Sequence, residues 1–122
     1  MAKQHSPGFL KLTDDAKSRV QEISAADAAA RQEAGAVLID VREADEFAAE
    51  HAVGALAMSK GTIEMNIEKQ IPDPTTEIIC YCGGGYRSAL AVDNLQKMGY
   101  TNVKSQAGGF RAWREAGLPT EK

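Results

Sequence analysis

Residues 78–98 read IICYCGGGYRSALAVDNLQKM, an apolar run followed by a glycine turn and then by a helical period. The run over residues 78–82 is apolar without a break, as in a parallel strand that helices cover on both faces. A second run of this kind occupies residues 36–41. Helical and strand-like segments alternate around both runs, which predicts an α/β domain with an open, mostly parallel sheet and helices on both faces. The ligand site of such a sheet lies beyond the carboxyl ends of its strands.

The other elements follow from periodicity, caps and breakers. A first helix is expected to start at Thr13, with Ala16, Val20 and Ile23 on its apolar face. A second helix is expected to run from a Ser24 cap to Gly35. Further helices are predicted over residues 43–50, 62–69 and 87–98 and from the glycine pair 108–109 through residue 113, with short strands over residues 55–58 and 102–105.

The chain is long enough for one domain and too short for two of ordinary size. It has 122 residues, of which 43% are hydrophobic and 25% are charged, so a single compact core is expected. Residues 1–12 show no sustained period and contain the breakers Pro7 and Gly8. We therefore interpret residues 1–12 as a flexible lead-in and residues 13–122 as the single domain.

Charge and hydropathy argue against several classes of partner. The net charge of -3 gives no electrostatic reason to bind nucleic acid or anionic lipid. No apolar run approaches the roughly 20 residues of a membrane span, and the first residues lack the apolar core of a secretory signal. Cys80 and Cys82 are two residues apart in one predicted strand, which disfavours a disulfide between them. Reduced thiols and the absence of these signals predict a cytoplasmic protein.

The turn after residues 78–82 has the composition of an anion-binding loop. Cys82 ends the strand, three glycines follow, and a helix opens at Arg87. Glycines allow successive N–H groups to point at one spot, and the positive end of the helix adds to them, so a thiolate or a bound anion is stabilised there. Arg87 offers a forked, permanently charged group for anions. The candidate anion-binding residues after Cys82 are Gly83, Gly84, Gly85, Tyr86, Arg87 and Ser88.

Two neighbours of the thiol have more ordinary explanations. Cys80 lies inside the strand behind Ile78 and Ile79 and is expected to be a buried packing residue. The Ser88 hydroxyl is equally suited to cap the helix and to bond the sulfur.

The sequence resembles the rhodanese family over residues 36–119. The likeness rests on VLIDVR at 37–42 with Glu46 and Phe47, HAVGA at 51–55, CGGGYR at 82–87, and GGFRAW at 108–113 with GLP at 117–119. The resemblance implies a five-stranded parallel sheet flanked by helices. It also implies a sulfurtransferase in which Cys82 takes a sulfane sulfur from a small donor such as thiosulfate and passes it to a thiophilic acceptor such as cyanide, or to an acceptor protein. It implies no metal and no organic cofactor, and it leaves the oligomeric state open.

The resemblance also assigns supporting roles and shows two departures. Asp40 and Arg42 resemble a pair that stabilises the fold near the loop, and we expect His51 to be a hydrogen-bonded packing residue. Val53 stands where the family usually has proline. Gly83 stands where thiosulfate-preferring relatives often have a basic residue, so the donor is left open.

Two rival functions share the same loop. A phosphatase or arsenate reductase would also use a cysteine and an arginine to hold a tetrahedral anion, but the related phosphatases have one residue more than the four between Cys82 and Arg87. A rhodanese-like docking module without chemistry usually lacks the cysteine. The loop therefore favours an active enzyme with a smaller sulfur ligand.

Overall fold

Helices and strands alternate through residues 5–122, the part of the chain that the computed structural model describes. The helices are α1 (Pro7–Lys17), α2 (Ala25–Glu33), α3 (Ala44–Ala49), α4 (Ile63–Gln70), α5 (Tyr86–Lys97) and α6 (Gly109–Glu115). The strands are β1 (Gln21–Ile23), β2 (Val37–Asp40), β3 (His51–Ala52), β4 (Leu56–Ala57), β5 (Ile78–Tyr81), β6 (Val103–Gln106) and β7 (Thr120–Glu121).

Five strands form one parallel sheet in the order β1-β6-β5-β2-β4. The two apolar runs of the sequence are the neighbours β5 and β2, paired from Val37 opposite Ile78 to Asp40 opposite Tyr81. The predicted α/β fold with a parallel sheet between helices is confirmed. β5 is the central strand, so the loop that follows it opens at the middle of the carboxyl edge.

The core lies on both faces of the sheet. Ile78 and Cys80 of β5 pack on the face covered by α4 and α5, whereas Ile79 and Tyr81 pack on the face covered by α2 and α6. Successive strand residues point to opposite faces, so a strand buried on both sides must be apolar throughout. Trp113 belongs to the second core.

The predicted lead-in over residues 1–12 is wrong from Pro7 onward, because α1 begins there. The Ser6 hydroxyl accepts a hydrogen bond from the N–H of Phe9 at 3.3 Å, and Pro7 occupies the first helical position. A serine followed by proline is suited to start a helix. The serine caps the first turn, and the proline costs no hydrogen bond, because an N–H at the first helical position has no partner within the helix. Residues 1–4 of the predicted lead-in lie outside the described residues.

The first predicted helix also ends earlier than its apolar period suggested. α1 ends at Lys17, and Ile23 lies in β1, where Gln21 pairs with Lys104 of β6. Pairing with the sheet edge overrides a helical period that only Ala16, Val20 and Ile23 supported. A two-stranded antiparallel sheet of β3 and β7, which the sequence analysis did not predict, joins His51–Ala52 to Thr120–Glu121.

Within residues 5–122, each helix is too short or too polar to cross a lipid bilayer.

Candidate functional site

Cys82 lies directly after the central strand, at the carboxyl edge of the sheet. Its Sγ accepts a hydrogen bond from the backbone N–H of Gly85, and the two atoms are 3.1 Å apart. Gly85 has a φ of +97°, a left-handed conformation that glycine adopts without steric cost. Cys82 is only 1% exposed, yet it lines a cavity of about 1070 Å³. The buried thiol therefore forms the floor of this cavity.

Two buried hydroxyl groups continue from the sulfur into the protein. The Oγ of Ser88 lies 3.6 Å from the Cys82 Sγ, and it is 2.8 Å from the Oγ of Ser105 on β6. Both serines are fully buried. Of the two roles left open for Ser88, the structure places its hydroxyl at the sulfur. Ser105, which the sequence analysis did not single out, is the second member of this hydroxyl pair.

The loop also faces the positive end of α5. This helix starts at Tyr86 without a side chain capping its N-terminus. The first N–H groups of a helix have no intrahelical partner, and the helix dipole places partial positive charge there. Gly83 and Gly84 lie with Tyr86 and Arg87 on the cavity wall above the sulfur. The arrangement favours an anion at this end of the cavity.

A second glycine turn holds the loop from behind. The N–H of Phe110 donates to the carbonyl oxygen of Cys82 at 2.6 Å, and the N–H of Arg111 donates to that of Gly83 at 3.2 Å. These contacts require Gly109, because a Cβ there would lie 2.6 Å from the Gly83 carbonyl oxygen. The backbone of the loop is thus fixed by the first turn of α6.

Arg87 is paired with a carboxylate of α3. Its two terminal nitrogens lie 3.0 and 3.3 Å from the two carboxylate oxygens of Glu46. Hydrogen bonding from Arg87 is the main reason that the pKa of Glu46 is held below its usual value, and the carboxylate in turn raises the pKa of Arg87. Glu46 also accepts from the N–H of Glu43 at the start of α3. The charge of Arg87 is therefore compensated at the cavity wall.

The predicted pair of Asp40 and Arg42 lies beside the loop, away from the sulfur. The Arg42 guanidinium donates to both carboxylate oxygens of Asp40 and, at 2.6 Å, to the carbonyl oxygen of Glu50. It stacks on the Phe110 ring with a separation of 4.4 Å. Both charges are buried and have partners, so the pair connects β2 to α3 and α6.

Cys80 and His51 have the surroundings of packing residues. Cys80 is completely buried among apolar side chains, and this burial raises the pKa of its thiol to about 12. His51 stacks on Phe47 at 3.7 Å, and its Nδ1 lies 2.8 Å from the Phe47 carbonyl oxygen. The structure places neither side chain in the cavity lining.

The cavity has three walls beside its thiol floor. α1 and the residue before its cap form one wall, with His5 and Phe9. α3 and α5 form the second, and α6 forms the third with Arg111 and Glu115. Sequence reasoning missed the α1 wall because it interpreted this segment as a lead-in. Across residues 5–122 there is no cluster of His, Cys, Asp and Glu side chains suited to a metal ion.

Comparison with known proteins gives a family and several relatives. The family model for the rhodanese-like domain matches residues 24–116. Thiosulfate sulfurtransferase GlpE of Pseudomonas putida is 37% identical over 91 residues, which cover 75% of this chain and 80% of that protein. An uncharacterized protein of Synechocystis is 35% identical over 92 residues, covering 75% of this chain and 50% of that protein. This chain thus spans about half the length of that relative.

A solved structure matches almost the whole chain. It is a protein of unknown function from Rhodopseudomonas palustris, described as a possible tyrosine phosphatase. It is 34% identical to this chain with a TM-score of 0.83, and the match covers 99% of each chain. The family match starts at residue 24, so α1 lies outside it, whereas the match to this structure includes the α1 region.

Proposed function

The chain belongs to the rhodanese-like domain family, and we propose that it is a sulfurtransferase in which Cys82 carries a sulfur atom as a persulfide. The observation that carries the proposal is the position of the sulfur. It lies at the floor of a cavity, 3.1 Å from the Gly85 N–H and beside the positive end of α5. These groups stabilise negative charge on sulfur, which a nucleophilic thiolate and a terminal persulfide both carry.

In the first step, the Cys82 thiolate attacks the outer sulfur of a donor. With thiosulfate, a new sulfur–sulfur bond forms to Cys82, the donor's sulfur–sulfur bond breaks, and sulfite leaves with the electron pair. The charge of three minus is conserved, because the products are a persulfide anion and a sulfite dianion. Loop N–H groups and the Arg87 guanidinium are suited to hold the anionic donor.

In the second step, a thiophilic acceptor attacks the outer sulfur of the persulfide. With cyanide, a carbon–sulfur bond forms, the bond to Cys82 Sγ breaks, and the thiolate is restored as thiocyanate leaves. The Ser88 hydroxyl, 3.6 Å from the Sγ, is positioned to donate to the leaving thiolate. We place this chemistry in the cytoplasm, because reduced thiols are stable there.

Mass spectrometry tests the persulfide directly. After incubation with thiosulfate, the wild-type protein should gain about 32 Da, the mass of one sulfur, while Cys82→Ala gains nothing. Cys80→Ala is the matched control, because the side chain of Cys80 lies outside the cavity lining, and it should load sulfur like the wild type. An equal gain in Cys82→Ala would refute the proposal.

A phosphatase is the second candidate, favoured by the description of the Rhodopseudomonas palustris structure as a possible tyrosine phosphatase. Against it stands the loop, in which only four residues separate Cys82 from Arg87. Turnover of an aryl phosphate by the wild type, lost in Cys82→Ala, would support this candidate over sulfur transfer. The third candidate function, a docking module without chemistry, predicts neither sulfur transfer nor hydrolysis of the aryl phosphate.

A further inference from the structure

The charges around the cavity cancel. Its lining contains two arginines, and each has a carboxylate partner in the same lining: Arg87 pairs with Glu46 at 3.0 Å, and Arg111 lies 3.5 Å from Glu115. A cavity built for a small inorganic dianion gains most from uncompensated positive charge. The compensated walls instead suit a ligand whose binding depends on more than its charge.

One wall of the cavity is aromatic. The rings of His5 and Tyr86 are 4.5 Å apart, and the rings of Phe9 and Tyr86 are 6.3 Å apart. The Nζ of Lys17 in α1 lies 4.4 Å from the centre of the Tyr86 ring. This aromatic wall, made of His5, Phe9 and Tyr86, offers rigid apolar surface beside the thiol floor.

The size of the cavity also indicates an organic ligand. Its volume of about 1070 Å³ is that of a site for an organic molecule. Thiosulfate and cyanide contain only a few atoms each and would leave most of it filled with water. Phe9 belongs to α1, which lies outside the region that the family model matches.

We propose that the aromatic wall makes the cavity selective for an organic thiol with an apolar body as the sulfur acceptor, and that Phe9 determines this specificity. The inference rests on the proposed function, since it concerns the acceptor of the Cys82 persulfide. The apolar body packs against Phe9 and Tyr86, and the thiol reaches down to the floor. Apolar contact of this kind changes the rate of transfer by a measurable factor. Each methylene group of a substrate in an apolar pocket raises kcat/KM roughly tenfold or more.

The transfer step is balanced. The acceptor thiolate attacks the outer sulfur of the Cys82 persulfide, a sulfur–sulfur bond forms in the organic product, and the bond to Cys82 Sγ breaks. Cys82 leaves as a thiolate, and the acceptor becomes an organic persulfide anion. No oxidant or reductant is needed, because one sulfur atom moves between two thiolates.

Paired acceptors test the proposal. Protein loaded with thiosulfate would be mixed with 2-phenylethanethiol, 2-mercaptoethanol or cyanide, and the second-order rate of sulfur loss from Cys82 measured for each. In the wild type, the phenyl thiol should react roughly tenfold faster than the hydroxyl thiol. Phe9→Ala should abolish most of this preference by slowing the phenyl thiol more than the hydroxyl thiol or cyanide, while Phe9→Leu, which keeps apolar bulk, should retain much of it.

Leu12→Ala is the matched control, because Leu12 is an apolar residue of the same helix that is exposed and outside the cavity lining. It should behave like the wild type. Equal rates for the two thiols in the wild type, or an equal loss with all three acceptors in Phe9→Ala, would overturn the inference. Failure of the proposed function is distinguishable, since it would appear earlier as no thiosulfate-dependent gain of mass on Cys82.

Discussion

The sulfur of Cys82 has hydrogen-bonding neighbours that can serve two charge states. As a thiol, it can donate to the Ser88 hydroxyl, which then donates to Ser105 2.8 Å away. As a thiolate or persulfide, it must accept, so Ser88 turns its proton to the sulfur and accepts one from Ser105. Because both hydroxyl groups are buried, their bonds cannot be replaced by bulk water.

We predict that Ser105→Ala lowers the reactivity of Cys82. Without Ser105, the Ser88 hydroxyl loses the donor that strengthens its own bond to the thiolate, so the anion is less stable. The rate of alkylation by iodoacetamide at neutral pH should fall roughly three- to tenfold, as expected for one hydrogen bond.

Ser18→Ala controls for removal of a hydroxyl in general, since Ser18 lies at the exposed end of α1 and bonds the Asp15 carbonyl oxygen. It should leave the alkylation rate unchanged. If Ser105→Ala and the wild type are alkylated at the same rate, the hydroxyl pair has no part in the reactivity of the sulfur.

At the scale of elements, α3 and α5 meet through the pair of Glu46 and Arg87. Both side chains are about one third exposed, so the pair contributes little to the free energy of unfolding. Its main effect is on the net charge of the cavity wall. The carboxylate cancels the guanidinium that lies above the sulfur.

We predict that Glu46→Gln improves the capture of an inorganic dianion. The amide keeps an acceptor for the Glu43 N–H and removes the negative charge, so Arg87 attracts thiosulfate more strongly. The KM for thiosulfate should fall roughly threefold at low salt, and the effect should shrink as ionic strength rises. Asp45→Asn removes the same charge from an exposed position of α3 outside the cavity lining and should have no effect. A higher KM in Glu46→Gln would mean that the carboxylate serves to hold Arg87 in place.

The elements differ in how well the sequence predicted them. β5 and α5 were predicted within a residue of their bounds, because a doubly buried strand, three glycines and a helical period each leave a strong local pattern. α1 was misplaced, because the same Ser6 and Pro7 that start a helix also resemble a turn. β1 was missed because its partner, β6, lies far along the chain, and β3 and β7 have two residues each.

The same division applies to the site. Cys82 and the residues that follow it were found because they are contiguous. Ser105, Phe9 and Arg111 reach the loop from other elements, and only the folded chain brings them there. Glu46 was noticed as part of a motif, but its partner Arg87 is distant in sequence, so the pairing could not be predicted.

On the scale of the whole molecule, the aromatic wall depends on how α1 is held to α5. Arg19, just after α1, donates two hydrogen bonds to the carboxylate of Asp93 on α5, at 3.0 and 2.8 Å. The Asp93 side chain is buried, whereas Arg19 is half exposed and also bonds the exposed Asp15. The hydrogen bonds from Arg19 are the main reason that the pKa of Asp93 is held below its usual value of 3.8.

We predict that Asp93→Asn destabilises the protein at neutral pH by about 1 kcal/mol, the low end for a charged hydrogen bond because Arg19 is half exposed. A lowered pKa in the folded state means that this stability is complete above the pKa of an unfolded aspartate and disappears as the pH falls through the folded value. Urea unfolding should therefore show a difference from the wild type at pH 7 that shrinks below about pH 4.

Asp15→Asn is the control, because it removes another partner of the same arginine from an exposed position. Its effect on unfolding should be smaller than that of Asp93→Asn. A constant difference between Asp93→Asn and the wild type from pH 7 to pH 3 would exclude the carboxylate charge as its origin.

The hydrogen bonds from Phe110 and Arg111 to the loop carbonyl oxygens have a consequence for biosynthesis. A nascent polypeptide that has left the ribosome only as far as residue 100 already contains Cys82. It still lacks both the β6 strand beside β5 and the turn that fixes the glycines. The loop around Cys82 therefore acquires its folded geometry late in translation, after the final helix has emerged.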